Sequence, residues 1–173
     1  MNRSEEKPVV AVLMGSKSDF PVVEGALNTL DEFGVSYEAH ALSAHRTPNE
    51  VANFAAKAEE NGFKVVICAA GMAAHLGGIV AAHTTLPVIG IPIVSEPFHG
   101  LDALFSMIQM PPGIPVAVVT AGKAGGKNAA LYAVSILALS DRDLAEKLKT
   151  FRREQSAKVL KTDEAFQEEL KQR

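Results

Sequence analysis

A single cysteine, Cys68, in 173 residues excludes an intrachain disulfide. It lies in the apolar run Val65-Val66-Ile67-Cys68-Ala69-Ala70, so a small buried hydrophobe is its expected role. No apolar run approaches the ~20 residues that span a bilayer; the longest, such as Val65 to Ala74 and Ala129 to Val134, fall well short. The first residues, Met1-Asn2-Arg3-Ser4-Glu5-Glu6-Lys7, lack the apolar centre of a signal peptide, so a cytoplasmic protein with no membrane partner is expected. A dense basic stripe is missing too. With 17 Lys and Arg against 20 Asp and Glu, the net charge is −3, which leaves no electrostatic footprint for nucleic acid. A small anion held by local groups remains compatible with that charge. There is no Gly-x-Gly-x-x-Gly dinucleotide fingerprint, no linker, no repeat and no second domain. Ala121-Gly122-Lys123-Ala124-Gly125-Gly126-Lys127-Asn128 looks like a phosphate-binding P-loop at first sight. It has Ala121 where that motif needs glycine and Asn128 where it needs Ser or Thr, so it is read only as a small-residue wall beside a site.

What is present is an ordinary globular composition, 47% hydrophobic and 21% charged, in a chain the length of one domain. Five strand-like runs recur: 9–13, 37–41, 64–69, 88–92 and 115–119. Their starts lie roughly 24 to 28 residues apart, the length of a strand, a helix and two loops. Helical patterns fill the gaps over 20–33, stopped by Gly34, and over 48–61, stopped by Gly62; others cover 76–83, 101–109 and 127–139. Strand alternating with helix predicts a parallel sheet covered on both faces, joined by right-handed crossovers. Residues 1–8 read as an extension and 9–140 as a single α/β domain. Residues 141–161 read as a charged amphipathic helix capped by Ser140, and 162–173 as a polar tail. With no sheet left to cover on its own subunit, that helix is expected to pack on a neighbouring copy.

In a parallel sheet the ligand crevice lies at the carboxyl ends of the strands. Three loops there combine small and polar residues. The first, Met14-Gly15-Ser16-Lys17-Ser18-Asp19, offers the Ser16 and Ser18 hydroxyls to an anion and the Asp19 carboxylate to ribose hydroxyls, although taken alone an ordinary capped turn is the better reading, since such caps are common. The second, Ser43-Ala44-His45-Arg46, precedes Thr47-Pro48-Asn49-Glu50, which reads as a capping box with proline at the first helical position. That places His45 and Arg46 in the loop entering a helix, where Arg46 can grip phosphate with its planar fork and an imidazole can move a proton near neutral pH. The third, Ala70-Gly71-Met72-Ala73-Ala74-His75-Leu76-Gly77-Gly78, has little bulk except Met72, so the backbone at Ala70 and Gly71 can approach a ligand closely. His40, His83 and His99 sit among no other chemical groups and are read as structural or solvated. His45 and His75 lack the His-x-His or acidic spacing of a metal site, so no metal is expected.

Taken together and in order, Met14–Asp19, Ser43–Pro48, Ala73–Leu76, Gln109-Met110-Pro111 and Asn128-Ala129-Ala130 resemble the class I N5-carboxyaminoimidazole ribonucleotide mutases of purine biosynthesis, over about Val9 to Leu160. Class II relatives, which carboxylate aminoimidazole ribonucleotide with free carbon dioxide, typically carry lysine where Arg46 stands and lack the His75 motif. The resemblance implies a flavodoxin-like three-layer α/β/α sandwich with a five-stranded parallel sheet, assembled as homo-octamers with sites shared between subunits. It implies that Ser16, Asp19 and Arg46, with Ser18 and Ser43 beside them, bind the ribonucleotide and that His45 is the acid–base residue. His75 and the Ala70–Ala74 backbone, with Ala70 and Gly71 as contacts, would line the carboxylate or carbon dioxide pocket, with no cofactor. The chain departs from the family pattern at Ala69 and Met72, usually glycine, at Gly77, usually proline, and in Ser95-Glu96-Pro97-Phe98-His99-Gly100. Class II chemistry on free carbon dioxide and a nucleotide-binding module without chemistry are the alternatives.

Overall fold

The computed structural model describes residues 7–173, so most of the amino-terminal extension lies outside the described residues. Five parallel strands form one sheet: β1 (Val10–Met14), β2 (Tyr37–Ala41), β3 (Val65–Ala70), β4 (Val88–Pro92) and β5 (Ala117–Val118), in the order β2-β1-β3-β4-β5. Val12 pairs with Ala39 on one side and Ile67 on the other, so β1 is an interior strand and β2 is an edge. Among the described residues six α-helices join and follow the strands: α1 (Phe20–Phe33), α2 (Pro48–Lys57), α3 (Leu76–His83), α4 (Leu101–Ile108), α5 (Lys123–Leu137) and α6 (Arg142–Lys171). This is the doubly wound, flavodoxin-like arrangement, with its switch point between β1 and β3.

Strict alternation along the inner strands produces two cores. Val10, Val12, Ile67, Ile89 and Ile91 point to one face and pack on α1 and α5. Ala11, Leu13, Val66, Cys68 and Val88 point to the other and pack on α2, α3 and α4. Cys68 is fully buried, and burial alone pushes its thiol pKa up, so it stays protonated as a small apolar side chain. Gly34 ends α1 in the left-handed conformation at φ 72°, donating its N–H to Leu30 and Asp31 carbonyls. The second helix stops earlier than its pattern suggests. From Ala58 the backbone tightens into i→i+3 turns, Ala58 to Ala55 and Gly62 to Glu59, which hydrophobic periodicity does not distinguish from α-helix.

Three differences from the sequence reading have clear physical causes. The final sheet-covering helix begins at Lys123 rather than Lys127, because Gly125 and Gly126 let its first turns lie directly on backbone. A Cβ on Gly125 would sit 1.9 Å from the Thr120 carbonyl oxygen, and one on Gly126 2.2 Å from that of Val22. The cap of α6 is Asp141, whose Oδ1 accepts the N–H groups of Asp143 and Leu144 at 2.9 and 3.0 Å. The Ser140 hydroxyl instead donates to Leu137 O at 3.3 Å, at the end of α5. Finally, α6 does find cover on its own subunit. Leu144 joins the α1–α5 core with Leu148 and Phe151 beside it, the rings of Phe33 and Phe151 meet edge to face at 5.6 Å, and Lys147 Nζ donates to Phe33 O at 2.9 Å. Beyond Phe151 the helix is exposed and continues through the expected tail to Lys171, carrying Val159, Leu160, Phe166 and Leu170 to solvent. Among the described residues no helix is long and apolar enough to cross a membrane.

Candidate active site

The loops after β1 and β3 leave the sheet toward opposite faces, so a crevice must open between them. A cavity of about 590 Å³ occupies it, lined by Gly15, Ser16, Ser18 and Asp19 from the first loop and Ser43 to Arg46 from the second. Ala70 to Leu76 form the third wall, and Ile93 and Ser95 close the β4 end. Every site residue expected from the sequence is therefore brought to one cavity. Three others, His40, His83 and His99, are not: His40 bonds Glu38 and packs on Phe54, and His99 faces Glu96 at 3.2 Å. His83 lines a larger cavity of about 910 Å³ with Glu59 and Tyr132, at the amino-terminal ends of β4 and β5. Helix carboxyl ends converge there, an unfavourable setting for phosphate despite the volume. No residue from 121 to 128 lines the smaller cavity, so that glycine-rich segment is helix packing and not a wall of the site.

Hydrogen bonds fix the first two loops to each other. Ser16 N–H donates to Asp19 Oδ2 at 3.1 Å while Ser16 Oγ accepts Ser18 N–H at 3.3 Å, a capping box around a single 3-10 turn, Lys17–Asp19. The Ser18 hydroxyl donates to Ser16 Oγ at 2.9 Å. Burial raises the Asp19 carboxyl pKa above its ordinary value, against the opposing pull of Ser16 N–H, Ser18 and the Arg46 charge. The cost to the free fold is absent below the ordinary carboxylate range, grows as pH rises, and is complete above the raised pKa.

The capping box expected at Thr47 does not form. Thr47 Oγ1 donates to Ser43 O at 3.0 Å and accepts Ser43 N–H at 2.9 Å, stapling the His45–Arg46 loop shut, and α2 starts on Pro48 without a side-chain cap. Ser43 Oγ accepts the Arg46 backbone N–H at 3.2 Å, and Arg46 reaches across to Gly15 O at 3.1 Å. That stretch holds the guanidinium between the two loops, beside the serine hydroxyls.

At the other side of the cavity His75 is the N-cap residue of α3 and its ring makes no capping bond. Its centroid lies 5.5 Å from that of His45, with 41° between the planes. Two imidazoles from different loops thus face one space, next to the positive end of α3. Ala70, Gly71, Ala73 and Ala74, which line the same cavity, make a small and apolar wall. Met72 stands on the rim, exposed, with φ 56° in the left-handed region, which costs an L side chain about 1–2 kcal/mol. Among the described residues no three or more His, Cys, Asp or Glu side chains gather as a metal set. Sequence reasoning passed over Ile93 and Ser95. The signal was available, since β4 ends at the same edge as β1 and β3.

Fold and cavity together define a flavodoxin-like α/β protein with a small-molecule cleft at the topological switch point. The chain belongs to the AIR carboxylase family, whose model matches residues 9–158. It is 50% identical over 159 residues to the N5-carboxyaminoimidazole ribonucleotide mutase of Pyrococcus horikoshii, covering 92% of this chain and 89% of that protein. It is 48% identical over 158 residues to the Bacillus subtilis protein of the same name, covering 91% of this chain and 98% of that one. Among solved structures, PurE of Treponema denticola superposes with a TM-score of 0.81 at 32% identity, over 90% of this chain and 96% of that one.

Proposed function

We propose that this protein converts N5-carboxyaminoimidazole ribonucleotide to 4-carboxy-5-aminoimidazole ribonucleotide in purine biosynthesis, with His45 as the acid–base residue and without a cofactor. One observation carries the reading: a single cavity gathers the His45 imidazole, the apolar residues Ala70, Gly71, Ala73 and Ala74, and Arg46 with the serine loop. Relatives of that name at about half identity support it.

The proton inventory explains why one imidazole suffices. The bond from the exocyclic nitrogen to the carboxyl carbon breaks, releasing carbon dioxide, and the nitrogen takes a proton from His45. Ring carbon 4 then attacks the carbon dioxide, forming a carbon–carbon bond, and gives up its proton to His45. Protons, carbon dioxide and charge all balance, so the acid–base group is regenerated each turn. The remaining requirement is confinement, because carbon dioxide must stay within reach of the ring until it is recaptured. The small residues Ala70, Gly71, Ala73 and Ala74 provide a wall for that purpose. Arg46, Ser16 and Ser18 hold the phosphate, Asp19 the ribose, and His75 with the Ala70–Gly71 backbone the carboxylate, while Ser43 orients Arg46.

Direct assay of that conversion, without added ATP or metal, tests the reading. Turnover only on aminoimidazole ribonucleotide with free carbon dioxide would replace it by the class II reaction, and binding without turnover by a nucleotide-binding module. Arg46→Lys is expected to weaken ribonucleotide binding by about 1–3 kcal/mol with turnover largely kept at saturation, because a point charge does not reproduce a bidentate phosphate contact. Titration calorimetry beside steady-state kinetics separates the two effects.

The cytoplasm is the compartment proposed for this enzyme, and a homo-octamer the assembly. The exposed apolar residues Leu101, Phe105 and Ile108 of α4 and Val159, Leu160, Phe166 and Leu170 of α6 support association. Light scattering that returned the mass of a single chain would remove the octamer.

A further inference from the structure

The cavity has a fourth side that the proposed mechanism does not use. Ile93 N–H donates to Ala70 O at 2.9 Å, and a Cβ on Gly71 would lie 3.4 Å from Ile93 Cβ, so the chain leaving β4 runs against the third loop. Two residues on, Ser95 lines the cavity. Its Oγ is buried and makes no hydrogen bond among the described residues. The other buried side-chain oxygen in that condition, Asp102 Oδ1, belongs to α4 and does not line this cavity. A buried hydroxyl left unpaired is a cost that native folds rarely carry without a use.

Position says what the use is. Along the sheet edge the order is β2, β1, β3, β4, so the strands that precede Arg46 and Ser95 stand three interstrand spacings, about 14 Å, apart, and the two residues line the cavity from its β2–β1 side and its β4 side. With the phosphate at the β2–β1 end, the base and its carboxyl group extend toward β3 and β4. We propose that Ser95 is a substrate-contacting residue whose buried, otherwise unpartnered hydroxyl donates to one carboxyl oxygen and holds carbon dioxide against the Ala70–Gly71 wall between release and recapture. This rests on the mutase reading above. The hydroxyl matters most as ring carbon 4 attacks, because negative charge then returns to the oxygens in a site that small residues keep dry.

Ser95→Ala tests it with three measurements on the full-length protein. The substrate is supplied with an isotopically labelled carboxyl carbon in buffer containing unlabelled bicarbonate, and label retained in the 4-carboxy product is read by mass spectrometry. The expected result is turnover lowered roughly tenfold, severalfold more label lost, and aminoimidazole ribonucleotide accumulating as a side product. The melting temperature should equal or exceed the parent's, since the substitution removes an unsatisfied polar atom and breaks no bond. A lowered melting temperature with unchanged retention would show that the hydroxyl has a structural partner in the assembly and overturn the proposal. Unchanged turnover and retention would overturn it too, leaving the mutase reading intact. Failure of the parent to convert the substrate, measured first, would instead overturn the mutase reading and this assignment with it.

Discussion

Replacing His45 by asparagine is expected to lower turnover at least ~100-fold while ribonucleotide binding stays near that of the parent. Asparagine keeps the size and some hydrogen bonding of the ring but has no proton to exchange, so the nitrogen leaves unprotonated and ring carbon 4 has no base. Binding survives because Arg46, Ser16 and Asp19 are held by bonds that do not involve His45: Arg46 to Gly15 O and Ser43, and Ser16 to Asp19. His75, with its ring 5.5 Å from that of His45, is a neighbouring imidazole. Turnover restored to the parent's level in His45→Asn would transfer the acid–base role to His75 or to solvent. The measurement is the maximal rate at saturating substrate, with affinity determined independently by calorimetry.

The second large effect concerns folding. Gly125→Ala is expected to destabilise the protein by about 3 kcal/mol or more, although alanine is the better helix former. The added methyl would lie 1.9 Å from Thr120 O and 2.9 Å from Ile91 Cγ2. A carbonyl oxygen cannot rotate away as a flexible side chain does, so α5 would have to rise off the end of β4, disturbing the core it shares with α1. Urea unfolding monitored by circular dichroism gives the test. A fall in the transition midpoint at unchanged slope is the expected signature, and a midpoint equal to the parent's would show that α5 has freedom this packing denies.

Much of the fold was legible because its signals are local. Apolar runs at regular spacing, Gly34 after a helical pattern and Pro48 at a helix start each report on a few consecutive residues, and the sheet follows from their alternation. The candidate site was legible through the rule that ligands gather at strand carboxyl ends, which drew attention to His45, Arg46, Asp19 and His75. The same rule applied to β4 would have included Ser95. Thr47 misled because its capping signature is shared by two geometries. Its hydroxyl goes to whichever backbone partner the chain presents, and here that partner is Ser43.

The amino-acid sequence by itself determined the order and type of the elements, the parallel sheet and the three polar loops, since each depends on neighbours a few residues apart. Tertiary structure alone decided which groups share a cavity. His45 meets His75 because β2 and β3 lie on either side of β1 and the loops that follow them lead to α2 and α3 on the same face of the sheet. It also decided the meaning of ambiguous segments. Gly125 and Gly126, similar in outline to a phosphate loop, are the contact that lets α5 lie on Thr120 and Val22, and α6, read as a helix in need of a neighbour, docks its first turns on Phe33 of its own chain. Such outcomes depend on close approach between residues far apart in the chain, down to the fit of a single methyl group, and no local pattern carries that distance.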